Sequence, residues 1–356
     1  MPTRKRLAAY DVMRIVAILL VLYNHLPGYH LYYQGTGTML CVGLLLSVLA
    51  RIGVPLFAMV SGALLLGRNE SYADLWRKRL SRMLGVVVVF EALLYVEFHF
   101  TRNYPLSLPD FLRGMLAGTL KDMVSYWFLY AYLGFLLMLP FLRRVAQAMT
   151  RADFLWLLAI HVLLTTGPTL ATFVCKCCGW PALTISKSLA VSLSSVTLYF
   201  YPLIGYWIDR HVDVHHISRR WWAALTATTL AGMLLSAWMT WRYDTLFATH
   251  VQDYLGLTVY VTACAVFLWA KRTFDAGFAQ RRPHANAALC FAGPLVFGVY
   301  LMDQDLKLLI YEPLKTMLFS PLGALGFSLV WCVVSLVMCG AATWVLKGLP
   351  LFRKLL

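Results

Sequence analysis

Charge is what this sequence has least of: Asp, Glu, Lys and Arg make up 13% of its 356 residues, against 60% hydrophobic ones. That balance excludes an ordinary water-soluble globular protein and describes a chain whose main solvent is lipid. Acidic residues are the scarcer half, 16 against 31 Lys and Arg, for a formal charge of +15. In a soluble chain the excess would point to nucleic acid. Here it reads as a topology signal and an attraction to anionic lipid headgroups, so lipid is an expected partner and nucleic acid is not. Low-complexity tracts, Pro/Ser-rich linkers and short-period repeats are also missing, which argues against an appended module or a solenoid. Residues 1–356 therefore read as a single transmembrane domain whose catalytic machinery, if any, lies among the helices. No small-x-small site follows the first apolar stretch, and Asp11 and Arg14 interrupt it, so it reads as a retained helix rather than a cleavable signal.

Metal-binding patterns are lacking as well. Cys41, Cys264, Cys290, Cys332 and Cys339 fall in apolar segments, where cysteine behaves as a small apolar residue. Cys175, Cys177 and Cys178 cluster in a segment read as an outer loop; a disulfide is open to them, but no fitting fourth ligand makes a zinc site. His211, His215 and His216 sit in a basic loop and read as solvated. No metal is expected.

What the sequence does contain is long apolar segments, and windows of about 20 residues place them near 7–26, 39–66, 83–99, 126–142, 153–173, 190–208, 221–241, 254–270, 287–303 and 322–346. The reading is an all-α integral membrane protein of about ten transmembrane helices. With the N-terminus in the cytoplasm, the inner segments carry more than twice as many Lys and Arg as the outer loops, as the positive-inside rule requires, so both termini are expected to be cytoplasmic. The stretch Phe111–Leu116 is apolar but too short to span, and is expected as an interfacial helix.

Ionisable residues inside these segments are expensive, which makes each a functional candidate. Arg14 and His25 are separated by ten residues of the first segment. Eleven steps of about 100° come within about 20° of three turns, so both side chains share one helix face, roughly 16 Å apart. Depths taken from the inner edge of each segment, at about 1.5 Å per residue, give two layers. Arg14, Glu91 and His161 fall in the inner half, and His25, Arg51, His99 and Asp303 toward the outside. Glu91 is expected to pair with Arg14, and His161 to be a hydrogen-bonded packing residue.

These residues resemble the integral-membrane acyltransferase-3 family. The resemblance runs over nearly the whole chain: Asp11, Arg14 and His25 in the first helix; Val54-Pro55-Leu56-Phe57-Ala58-Met59-Val60-Ser61-Gly62 in the second; Lys78-Arg79-Leu80-Ser81-Arg82 leading into the third. Trp127-Phe128-Leu129 with Pro140, the segment Tyr201 to Gly205, and Gly298-Val299-Tyr300 complete it. Two positions depart from the family pattern, which often has histidine where this chain has Ser125-Tyr126 and where it has Asp303. If those histidines normally handle protons or acceptor, the acceptor here differs from the common cases.

The resemblance implies an enzyme moving an acyl group, usually acetyl, from cytoplasmic acyl-CoA to a hydroxyl of a carbohydrate or other envelope acceptor, in the bacterial cytoplasmic membrane. A hydroxyl attacking a thioester needs a base poised near neutral pH, for which histidine is suited. His25 is the expected general base. Arg14, at inner depth, suits the donor's phosphates or the developing oxyanion, with Arg51 as the alternative oxyanion partner. Lys78, Arg79 and Arg82 are expected to bind the phosphates of CoA, and Asp11, Glu91 and Asp303 to support the site. The blander reading has Arg14 snorkelling to the interface and His25 capping a helix. A transporter or flippase of envelope precursors would use the same polar layers as a path, but the broken paired helices and inverted repeats of such proteins are not evident.

Overall fold

In a computed structural model of the chain, the structure describes residues 7–26, 36–120, 126–181, 183, 186, 199–243 and 256–356. Ser125 and residues 190–198 of the sixth expected span lie outside them. The described residues are helical with no strands. The helices are α1 (Ala8–Asn24), α2 (Thr38–Ala50), α3 (Gly53–Leu65), α4 (Tyr72–Arg102), α5 (Leu108–Ala117), α6 (Trp127–Ala148) and α7 (Arg151–Cys175). They continue as α8 (Phe200–His211), α9 (Arg219–Tyr243), α10 (Leu257–Thr273), α11 (Pro283–Leu346) and α12 (Pro350–Leu355). By length and composition, six stretches among the described residues can cross a membrane: Thr38–Leu65, Tyr72–Arg102, Trp127–Ala148, Arg151–Cys175, Arg219–Arg242 and Pro283–Leu346. The described residues thus form an all-helical assembly with segments long and apolar enough to cross a membrane.

α1 is the central element. None of its residues is fully exposed, and α2, α3, α10 and α11 pack around it. Its composition explains the role: apolar side chains all round make a helix that is buried all round. Asp11 in its first turn faces the positive end of the helix dipole. Local signals set the other ends. Ser71 caps α4 by accepting from Asp74 N at 3.1 Å, Asn103 closes it in the left-handed region at φ 53°, and Thr150 and Asp153 form a reciprocal capping box at α7.

Two expected spans take a different form. The segment 39–66 is broken at Arg51 and Ile52 into α2 and α3. The segment 287–303 does not end at Asp303: helix continues through residues 304–321, expected as an outer loop, so Lys307 and Lys315 are helical residues. At Gly323 the backbone takes φ 67° and ψ 177°, a conformation open to glycine, and the chain turns back on itself. Contacts of Tyr311 with Trp331, of Asp303 with Ser335 and of Phe319 with Phe327 show two antiparallel arms. Window averaging missed the extension because its charged residues, Asp305, Lys307, Glu312 and Lys315, lower hydropathy as a loop does.

The closest packing joins α3 to α8. A Cβ on Gly62 would fall 2.0 Å from the carbonyl oxygen of Pro202, and one on Gly205 2.1 Å from that of Met59, so the two backbones touch where neither residue carries a side chain. Gly62→Ala forces those backbones apart. The expected cost is about 1–3 kcal/mol, read as a lowered thermal unfolding midpoint of the purified protein in detergent, with no change if the helices separate freely.

Candidate functional site

A cavity of ≈ 410 Å³ opens beside α1. Arg14 and Val21 of α1, Ser61 of α3, Tyr132 of α6 and Tyr300 of α11 line it, together with Lys78, Arg79 and Arg82 of α4. Lys78 and Arg79 lie on a π-helical turn, Trp76–Leu80, an irregularity that recurs at functional sites. The structure therefore brings together the four basic residues expected to bind the donor: Arg14, Lys78, Arg79 and Arg82 share one cavity.

Their partners differ. Arg14 Nη1 lies 3.7 Å from Oδ1 of the buried Asp11, while its side chain stays partly open. Lys78 pairs with Asp74 at 2.7 Å on an exposed surface. Arg82 donates from Nε to the carbonyl of Leu355 and from Nη2 to that of Leu356, each at 2.9 Å, so α12 holds its guanidinium in place. Arg79 is fixed by Glu70, to which it donates from Nε at 2.9 Å and from Nη2 at 2.5 Å. Glu70 also accepts from Nη2 of the buried Arg143 at 2.8 Å, joining the α3–α4 connection to α6.

His25 caps the far end of α1 and meets Asp303 there. Its Nδ1 lies 3.1 Å from Oδ2 of Asp303, which is fully buried; Ser335 Oγ donates to Oδ1 at 2.9 Å, and Lys307 Nζ stands 3.5 Å from Oδ2. A carboxylate only accepts, so Nδ1 is the nitrogen that donates in this contact, which makes Nε2 the acceptor of the neutral ring. The Tyr300 ring lies 6.4 Å from that of His25 and helps to line the cavity, which His25 and Asp303 do not.

Other candidates lie elsewhere. Glu91 does not pair with Arg14: it is buried and bonded to Tyr130 Oη at 2.5 Å, a side chain within reach from α6. Buried His161 stacks on Phe200 at 3.9 Å with Tyr260 at its edge, and its Nε2 has no hydrogen-bond partner, so it is packed but not bonded there as expected. His99 bonds the carbonyl of Tyr104 at 2.7 Å, just beyond the end of α4. Arg51 is half-buried at the α2–α3 break and does not line the cavity. Cys175, Cys177 and Cys178 are free thiols. Among the described residues no group of His, Cys, Asp and Glu is disposed to hold a metal.

Sequence reasoning missed Glu70 and Lys307. Glu70 stands 73 residues from Arg143, a pairing with no local signature. Lys307 did leave a signal, four residues after Asp303 and so one turn along the same helix face.

With this geometry in view, the comparison with known families is decisive: the sequence matches the acyltransferase-domain model of the acyltransferase-3 family over residues 7–347. The chain belongs to that family. It is an acyltransferase, and the extent of the match takes in α1 with Arg14 and His25, the α4 basic cluster and both arms of α11. Neither curated proteins nor solved structures gave a match.

The Glu70 clamp sets a pH dependence for the acyltransferase. The Arg79 hydrogen bond, joined by that of Arg143 and opposed by burial, pulls the Glu70 carboxyl down from 4.5 to about 2. A carboxyl lowered in the fold contributes stability above its unfolded value and loses it as pH falls toward the folded one. Wild type should therefore exceed Glu70→Gln in stability at neutral pH by about 2 kcal/mol, less than for a fully buried pair because Glu70 keeps some solvent. The gap should close between pH 4.5 and about 2. Thermal unfolding of both proteins across that range measures it, and a gap that does not vary with pH contradicts the clamp.

Proposed function

We propose that this acyltransferase moves an acyl group, acetyl in the simplest case, from cytoplasmic acyl-CoA to a hydroxyl of an extracytoplasmic sugar or other envelope acceptor, with His25 as general base. The observation that carries the reading is the pairing of His25 with the buried Asp303 at one end of a helix whose other end presents Arg14 to a cavity also lined by Lys78, Arg79 and Arg82. The transporter alternative explains neither this pairing nor the family.

In the proposed reaction the phosphates of the donor lie against the basic cluster, which offers fixed cationic donors to a polyanion. The pantetheine arm runs along α1 toward His25, a distance of roughly 16 Å. His25 Nε2 takes the proton of the acceptor hydroxyl as its oxygen bonds to the thioester carbonyl carbon. The carbonyl π electrons pass to oxygen, giving a tetrahedral oxyanion that a nearby cation stabilises. When this collapses the C–S bond breaks, and the departing thiolate takes the proton from the imidazolium, leaving ester and CoA thiol. Asp303 holds the imidazole in the tautomer that leaves Nε2 free and offsets the charge it gains, as a triad carboxylate does.

The reading separates two variants. His25→Ala should retain binding of acetyl-CoA while transfer falls by about 10² to 10⁴, and Arg14→Ala should weaken acetyl-CoA binding. Binding measured calorimetrically and turnover measured with radiolabelled acetyl-CoA distinguish them. Near-wild-type transfer by a folded His25→Gln protein overturns the base assignment, and unchanged binding and turnover in Arg14→Ala overturns the donor assignment.

A further inference from the structure

The geometry points to Lys307 as the positioning residue of the His25–Asp303 pair, acting as the cation that balances Asp303 so that His25 stands neutral and ready to accept a proton. The inference rests on His25 being the base. Asp303 has 0% side-chain exposure, and Lys307 and His25 have 11% and 15%. A buried carboxylate needs a compensating positive charge, since an unpaired one is among the most costly groups a fold can hold. Among the described residues two side chains are within reach to supply it, and both approach the same oxygen, Oδ2: His25 at 3.1 Å and Lys307 at 3.5 Å. Were Lys307 absent, protonated His25 would be the remaining counter-charge, and a protonated imidazole cannot act as a base. With Lys307 present the carboxylate and ammonium sum to zero.

The ammonium has a second tie. Lys307 Nζ donates to the backbone carbonyl of His25. That carbonyl belongs to the last residues of α1, whose carbonyls have no partner within the helix. One side chain therefore fixes both the main chain that carries the base and the carboxylate that orients it, and its place one turn after Asp303 lets it do so from a single helix face.

The surroundings contain few rivals. Facing Asp303 and Lys307 are Ser335, Cys332 and Cys339 from the returning arm of α11 and, on their own arm, Asp305, which is bonded to Glu97 of α4. Tyr300 faces His25. Serine and cysteine side chains carry no positive charge and Asp305 and Glu97 are carboxyl groups, so Lys307 is the cation in this set.

The experiment measures release of CoA thiol from acetyl-CoA by the purified full-length protein, with water as acceptor, between about pH 6 and pH 9. Lys307→Met should lose activity about tenfold near pH 7 and regain it at higher pH, its acid limb moved up by about one unit or more. Lys307→Arg, which keeps the charge, should hold the wild-type limb, and acetyl-CoA binding should be unchanged in both. A folded Lys307→Met protein with the wild-type limb, whether its rate is unaltered or uniformly lowered, overturns the inference. Should Lys307→Met not fold, Lys307→Gln takes its place: loss of the charge should raise the limb in the same way, and a folded Lys307→Gln protein with the wild-type limb overturns the proposal. His25→Gln, run alongside, tells the two failures apart. If it retains release and limb, the base assignment is wrong; if it abolishes release while Lys307→Met leaves the limb in place, only the role of Lys307 is wrong.

Discussion

Lipid offers no hydrogen bond to a polar atom, so every charge drawn into an apolar helical assembly has to be met by another part of the same chain. Asp303 is where this constraint bears hardest. It is a fully buried carboxylate whose oxygens meet a hydroxyl, an imidazole and an ammonium from three places in the sequence. Those contacts bring α1 against the first arm of α11 and the first arm against the second. The reversal at Gly323 is what lets Ser335 return to Asp303, 32 residues further along the chain. The same rule is met differently elsewhere: Glu91 takes the hydroxyl of Tyr130, and Glu70 takes two guanidinium groups at the edge of the assembly.

The basic cavity and the buried pair are joined by α1. A helix transmits distance faithfully, and Arg14 and His25, three turns apart on one face, keep a fixed separation whatever the loops do. On the proposed reading this matters for catalysis, because contacts at the unreactive end of the donor then position the thioester at the other end, turning binding energy into orientation at the reacting carbon. α12 contributes by fixing Arg82, and the π turn of α4 by presenting Lys78 and Arg79 beside it.

What could be read from the sequence follows from what is local. The spacing of Arg14 and His25 is a property of one helix, so their places near its two ends were legible, as were the helical class and the basic run at residues 78–82. Pairings across the assembly were not. Glu91 and Arg14 were matched by depth, yet depth says nothing about rotation around the bundle, and Glu91 faces α6 instead. Lys307 was assigned to a loop because a window of hydropathy averages an inward-facing charge with its apolar neighbours, although its i, i+4 relation to Asp303 was in plain view. The break at Arg51 escaped for the converse reason: both sides of it are apolar, and composition alone does not register a bend.

The surroundings of Asp303 can be understood in the same terms. An aspartate brings a full negative charge into a buried position, which calls for a cation close by. On the proposed reading that cation must not be the base itself if the base is to work. On the proposed reading Asp303 and Lys307 act together: the carboxylate orients the His25 imidazole, and the ammonium offsets the carboxylate's charge. A carboxylate without the lysine would orient the imidazole but quench it. A lysine without the carboxylate would leave an unpaired charge where lipid and packed side chains offer no compensation.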